Sequence, residues 1–133
     1  MAGLDTNVLV RWLVDDDAGQ SRRIAEMLES AARRDETLFV PLTVMLELEW
    51  VLRSRYAFAK PDILLALNAL LETRELEFQT EPAVERALHA YRQGTADFAD
   101  CLHAAACWVE GTTPMLTLDA KAAKLADAKL LAA

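Results

Sequence analysis

Five acidic residues stand at positions where a carboxylate could take part in chemistry: Asp5, Glu47, Asp97, Asp100 and Asp119. The four aspartates each lie close to the predicted start of a helix, where a carboxylate can cap backbone N–H groups, and capping explains each of them singly. Held together, four or five carboxylates repel one another, so some must be protonated or neutralised by a cation. Oxygen ligands without Cys or His companions favour Mg²⁺ or Mn²⁺.

Glu47 is the acid that capping does not explain. It lies in the middle of a helix predicted over 43–55, and no basic residue stands three or four positions away. A carboxylate on an apolar stripe is costly unless it is paired or bound to a metal. Glu49 provides the contrast, because Arg53 follows it by one helical turn and predicts an ion pair on the solvated surface. We therefore expect Glu47 to be functional and Glu49 to lie on the surface.

The elements that must position these acids alternate between helices and short apolar strands. Such an order predicts an α/β fold with a mainly parallel central sheet flanked by helices. Ligands of such sheets bind outside the carboxyl ends of the strands, which is where Asp5 and Asp119 are expected. The predicted helices cover 20–34, 43–55, 61–71, 80–93 and 96–109, and helical segments are also expected after Asp5 and after Asp119. The predicted strands cover 2–4, 37–40, 76–79 and 115–118, with the last residues as a possible edge strand.

Composition and length narrow the class of protein. The 133 residues, 53% of them hydrophobic, suit one folded domain over 1–133 and exclude a disordered segment. The longest apolar stretch, 63–71, contains Asn68 and is far shorter than the roughly 20 residues of a membrane span. We expect no secretory signal, because Asp5 interrupts the N-terminus before any apolar run begins. Cys101 and Cys107 would lie about 9 Å apart along a helix, beyond disulfide reach. We expect reduced thiols and a cytoplasmic location.

A metal held by carboxylates beside an anionic substrate is typical of phosphoryl chemistry, in which the ion activates water and polarises the phosphodiester. The net charge of −7 argues against a nucleic-acid partner at first sight. Without the five acids, however, the balance is −2. Arginines are then available for phosphate contacts: Arg11, Arg22, Arg23, Arg53 and Arg55.

Four segments, in this order, resemble the PIN-domain family, and more narrowly VapC-type toxins of bacterial toxin–antitoxin pairs: Asp5-Thr6-Asn7, the stretch 46–52 around Glu47, the stretch 97–105, and Thr117-Leu118-Asp119. The resemblance covers nearly the whole chain. It implies a three-layer sandwich with a parallel sheet, and an endoribonuclease that depends on Mg²⁺ or Mn²⁺. It also implies a VapB-type antitoxin as partner and a homodimer.

The resemblance also assigns roles to residues of this chain. The catalytic positions it implies are Asp5, Glu47, Asp100 and Asp119, and the metal-binding positions are Asp5, Asp97, Asp100 and Asp119. Polar residues that support the acids are Thr6, Asn7 and Thr117. With RNA as the implied substrate, the RNA-binding candidates among the arginines are Arg11, Arg53 and Arg55. No acid of the pattern is missing.

Three other readings remain open. A phospho-acceptor receiver domain has a similar length and could use Lys121, but it gives Glu47 no role. A haloacid-dehalogenase-like phosphatase needs a second Asp where this chain has Asn7. A non-catalytic PIN-like module that binds a partner or RNA would be expected to lack an acid.

Overall fold

The computed structural model describes residues 1–131, which form a mixed α/β structure with parallel strands, as the sequence predicts. No helix among these residues combines the length and the apolar character needed to cross a membrane. The elements in chain order are α1 (Thr6–Val14), α2 (Ala18–Arg33), β1 (Leu38–Val40), α3 (Leu42–Arg55), α4 (Lys60–Leu71), β2 (Leu76–Phe78), α5 (Glu81–Gln93), α6 (Phe98–Val109), β3 (Met115–Thr117), a 3₁₀ turn (Ala122–Lys124) and β4 (Ala128–Leu130).

The chain divides into two compact units, residues 1–79 and the residues from Thr80 onward. The extent of the predicted single domain, 1–133, stays a prediction, and its last two residues lie outside the described ones.

The first unit is built around the parallel pair β1–β2, in which Leu38 lies opposite Leu76 and Val40 opposite Phe78. The predicted strand at 2–4 is reduced to a single bridge beside β1, where the N–H of Leu4 donates to the Phe39 carbonyl at 2.8 Å. The fully buried side chains of the first unit come from α1, β1, α3 and α4: Leu9, Val40, Met45, Leu48, Leu52, Ile63 and Leu67. The bridge between residues 2–4 and β1 fixes where the chain turns into α1, directly after Asp5.

The second unit joins the helix pair α5–α6 to the parallel pair β3–β4. Tyr91 and Phe98 pack edge to face between the two helices, with ring centroids 5.4 Å apart. Gly94 is the C-cap residue of α5. The helical segment expected after Asp119 is only a 3₁₀ turn, but the chain then forms β4, which is the predicted edge strand. Cys101 and Cys107 are both free thiols, as expected.

An ion pair that no sequence motif indicates stabilises the second unit. The Arg86 guanidinium donates to both carboxylate oxygens of Asp127, from Nε at 2.7 Å and from Nη2 at 3.0 Å. The same guanidinium lies 4.0 Å from the ring centre of Trp108, within the range of a cation–π contact. Arg86 therefore connects α5 to α6 and to the residue that precedes β4.

Candidate active site

Asp5 lies at the junction between the pairing residues 2–4 and α1. It is the N-cap of α1, and its Oδ1 accepts a hydrogen bond from the Thr6 N–H at 2.7 Å. The capping role that its position suggests is therefore present. The side chain is exposed, and the cap occupies Oδ1 while Oδ2 stays open to another ligand. Asn7, in the first turn of α1, is also exposed.

Thr6 connects Asp5 to Glu47. Its side chain is 3% exposed, and its hydroxyl donates a hydrogen bond to Glu47 Oε1. The bond joins the N-terminus of α1 to the middle of α3, across 41 residues of sequence. Within the first unit, two of the candidate acids thus contact the same buried residue, Asp5 at the Thr6 N–H and Glu47 at the Thr6 hydroxyl.

The predicted environments of the two glutamates on α3 are the reverse of what the structure contains. Glu47 is exposed and has the Thr6 hydroxyl as a partner, whereas Glu49 is 3% exposed. Glu49 is buried because the helical period places it on the same face as Met45, Leu48 and Leu52. Arg53 compensates its charge, with Nε 2.9 Å from Oε2. The predicted Glu49–Arg53 pair exists, but its carboxylate is in the core.

In the second unit, Asp97 and Asp100 lie at the N-terminus of α6. Asp97 is the N-cap residue, yet its side chain makes no capping hydrogen bond, so capping does not account for this carboxylate. Asp100 is half-buried in the first turn. Burial raises the pKa of Asp100, and the charges of Asp119 and Asp97 raise it further, while His103 opposes them. The three carboxylates are therefore close enough to repel one another.

Asp119 follows β3 and is fixed by its own backbone surroundings. Its Oδ1 accepts hydrogen bonds from the N–H groups of Lys121 at 2.8 Å and Ala122 at 3.2 Å, which caps the 3₁₀ turn. Its own N–H donates to Thr117 Oγ1 at 3.1 Å. The expected supporting role of Thr117 thus has a physical form, because this hydroxyl helps to hold the backbone of the acid.

The chemistry of these side chains fits a hard divalent cation, since carboxylate oxygens are the ligands such ions prefer. Within residues 1–131, however, no three His, Cys, Asp or Glu side chains are arranged as the ligands of one ion. Asp97 and Asp119 are exposed, and exposed side chains change rotamer within nanoseconds. Coordination of one ion at this end of α6 therefore requires these side chains to rotate.

The predicted RNA-binding arginines separate into two environments. Arg11 and Arg55 line a groove of the first unit, whereas Arg53 is engaged with the buried Glu49 and does not line it. Arg23 lines the same groove, although it was not among the three selected arginines. The sequence feature that indicates Arg23 is its spacing from Gln20, which places both side chains on one face of α2. Arg22 is exposed and lies outside the groove lining.

Comparison with known proteins gives two matches. The model of the PIN domain family matches residues 3–128, a range that includes all five candidate acids. A protein of Aquifex aeolicus (strain VF5), named VapC ribonuclease, is 28% identical over 99 residues, which are 74% of this chain and 73% of that protein.

Proposed function

Because the chain belongs to the PIN domain family, we propose that it is a metal-dependent endoribonuclease that hydrolyses RNA phosphodiester bonds. The name of the Aquifex relative, VapC ribonuclease, supports RNA as the substrate and a role as the toxin of a type II toxin–antitoxin pair. The observation that carries the proposal is the group Asp97, Asp100 and Asp119, in which burial raises the pKa of Asp100 and the charges of Asp119 and Asp97 raise it further. Such a group is stabilised when a cation neutralises it.

The cation we propose is Mg²⁺ or Mn²⁺, held by Asp5, Asp97, Asp100 and Asp119. When bound, such an ion lowers the pKa of a water molecule and polarises the phosphodiester. The catalytic set we propose is Asp5, Glu47, Asp100 and Asp119. None of these carboxylates is more than partly engaged with the protein, because the capping bonds of Asp5 and Asp119 each use a single oxygen, Oδ1.

The supporting residues position these carboxylates. The Thr6 hydroxyl holds Glu47 Oε1, which leaves Oε2 to orient a water molecule and receive its proton. Thr117 and the two N–H groups that follow Asp119 fix the direction of that carboxylate. Asn7 is exposed in the first turn of α1, where its amide can donate to a phosphate oxygen.

Further proposals follow from the same family membership. We propose a VapB-type antitoxin that covers the site, a homodimer, and activity in the cytoplasm. Arg11 and Arg55 are proposed to contact RNA phosphates. The receiver-like and phosphatase-like readings have no observation in their favour, and the non-catalytic module is the alternative that the following experiment separates.

The experiment is cleavage of a labelled RNA by the purified chain with Mg²⁺, with Mn²⁺ and with excess EDTA. We expect cleavage with either ion and none in EDTA. The variants Glu47→Gln and Asp100→Asn should each lower the rate by at least 100-fold, because each removes a charge from the acidic set.

Matched controls are Glu85→Gln and Asp62→Asn, which make the same chemical changes at exposed residues outside the site. Both should cleave at the rate of the unmodified chain. A Glu47→Gln variant that cleaves at the unmodified rate contradicts the assignment of Glu47. If the unmodified chain binds RNA but does not cleave it with either ion, the non-catalytic module is the correct reading.

A further inference from the structure

A groove of about 470 Å³ lies in the first unit, lined by side chains from α1, α2 and α3. Its polar and charged lining consists chiefly of Asn7, Arg11, Gln20, Arg23 and Arg55, with Tyr56 beside them. We call it the arginine groove. Its volume falls within the roughly 300–1,000 Å³ typical of small-molecule sites.

Three helices each direct one arginine into the arginine groove. Asn7 and Arg11 are one turn apart on α1, Gln20 and Arg23 are one turn apart on α2, and Arg55 ends α3. Residues three or four apart lie on one helix face, so α1 and α2 each present a polar pair to the groove, and α3 adds Arg55. The convergence of guanidinium groups from separate helices is the feature that needs explanation.

The groove carries a surplus of positive charge although the chain has a net charge of −7. Arg11 is paired with Asp16. Arg23 and Arg55 make no ion pair with any carboxylate in the part of the chain that the structure describes, and Arg55 lies 5.9 Å from the ring centre of Trp50. Two guanidinium groups are therefore available to an anion, and guanidinium groups bind phosphate in bidentate geometry.

The arginine groove begins next to the two candidate acids of the first unit. Asn7, in its lining, directly follows Thr6, whose hydroxyl contacts Glu47. Val51, also in its lining, lies one helical turn after Glu47 on α3, or about 6 Å along the helix axis. A chain of nucleotides that passes Glu47 can thus continue into the groove.

We propose that the arginine groove binds one nucleotide of single-stranded RNA next to the bond that is cleaved. This inference rests on the proposed ribonuclease function. Arg23 and Arg55 hold the phosphate, and the base packs on Tyr56 and on the apolar lining formed by Ile24 and Val51. Base stacking on an aromatic ring is the common mode of single-strand binding, and it tolerates different bases. Arg23 and Arg55 are therefore substrate-binding residues.

The test is equilibrium binding of a fluorescein-labelled single-stranded RNA in EDTA, where cleavage is absent, to Arg23→Gln, Arg55→Gln and the double variant. Each single variant should bind about ten-fold more weakly at low salt, and the plot of log K against log salt should lose about 0.7 of its slope for each phosphate contact. The matched control is Arg33→Gln, an exposed arginine further along α2, which should bind like the unmodified chain. Thermal unfolding confirms that each variant is folded.

Two further measurements separate a binding role from a structural one. The double variant with Lys at both positions keeps the charge, so it should recover the full salt slope. It should recover only part of the affinity, because Lys cannot bind phosphate in bidentate geometry. In cleavage assays with Mg²⁺, the Gln variants should raise KM about ten-fold and leave kcat within two-fold.

The outcomes distinguish this inference from the proposed function. If the unmodified chain cleaves RNA and the double Gln variant binds and cleaves equally well, the groove inference is wrong and the ribonuclease stands. If the Gln variants lose RNA binding but no chain cleaves RNA, the proposed function fails and the groove remains an RNA site. A double variant that keeps RNA affinity and loses a protein partner overturns the inference in favour of a protein-docking groove.

Discussion

Replacing Glu49 with Gln should lower the free energy of unfolding by about 2 kcal/mol and leave the chemistry of the folded protein intact. Glu49 is 3% exposed and accepts hydrogen bonds from Arg53 Nε at 2.9 Å and from Nη2 at 3.5 Å. Breaking a fully buried ion pair costs roughly 3–5 kcal/mol, and losing a hydrogen bond to a charged group costs roughly 1.5–3 kcal/mol. The Arg53 side chain is 50% exposed, so water rehydrates it and the lower range applies.

The assay compares Glu49→Gln with Glu47→Gln, two identical chemical changes at positions two residues apart on α3. For a chain of 133 residues, 1 kcal/mol corresponds to roughly 4 °C in Tm, so Glu49→Gln should unfold about 8 °C lower in a circular dichroism melt. Glu47→Gln should shift Tm by less than about 2 °C, because Gln still accepts the Thr6 hydrogen bond and the side chain is exposed. Cleavage rates are measured well below both transitions.

The expected result is a crossed pattern, in which Glu49→Gln loses stability and keeps activity, whereas Glu47→Gln keeps stability and loses activity. If Glu49→Gln is as stable as the unmodified chain, the buried pair does not contribute as its burial indicates. If Glu49→Gln is stable and inactive, the chemistry has been assigned to the wrong glutamate.

Three other predictions concern positioning, charge and tethering. Thr6→Val should lower kcat about ten-fold by freeing Glu47, whereas Thr6→Ser should restore it, and equal rates for the two variants would rule out this role of the hydroxyl. The pKa of Asp100 is raised in the folded chain, so the ionised carboxylate destabilises the fold relative to the protonated carboxyl. The stabilising contribution of the protonated form is present at low pH and is lost as pH rises through the folded pKa. In metal-free buffer at pH 7, Asp100→Asn should therefore be more stable than the unmodified chain, with the difference shrinking towards acidic pH in urea titrations. Arg86→Ala should cost about 1 kcal/mol, since the ion pair with Asp127 is partly exposed, and a Tm unchanged within 1 °C would contradict it.

The sequence indicated the elements more reliably than the environment of single residues. The predicted range 43–55 differs from α3 by one residue at its start, yet the exposure of Glu47 and Glu49 was reversed. Two acids two positions apart lie on nearly opposite faces, so the inward face depends on which neighbours pack against the helix. Local charge spacing correctly indicated the Glu49–Arg53 pair, but it carries no information about burial.

Contacts between residues far apart in the chain could not be predicted from the sequence, for a different reason. The Thr6–Glu47 and Arg86–Asp127 contacts each join residues 41 positions apart, and no periodicity connects such partners. Capping, in contrast, is local, and the caps formed by Asp5 and Asp119 were foreseen as alternatives to a catalytic role. Capping does not exclude the catalytic role proposed for these acids, because a carboxylate has two oxygens and each cap uses only Oδ1.

The paired strands β3 and β4 have a consequence for conformational entropy. The stretch that carries Asp119 leaves the sheet after Thr117 and returns at Ala128, and at its return Asp127 is held by Arg86 and by the Met115 N–H at 2.7 Å. Fixing the backbone of one residue costs roughly 1–2 kcal/mol in conformational entropy. On both sides of Asp119 the backbone is already fixed in the folded chain, before any ligand binds. A ligand that engages Asp119 restricts only side-chain torsions, which makes this part of the molecule preorganised.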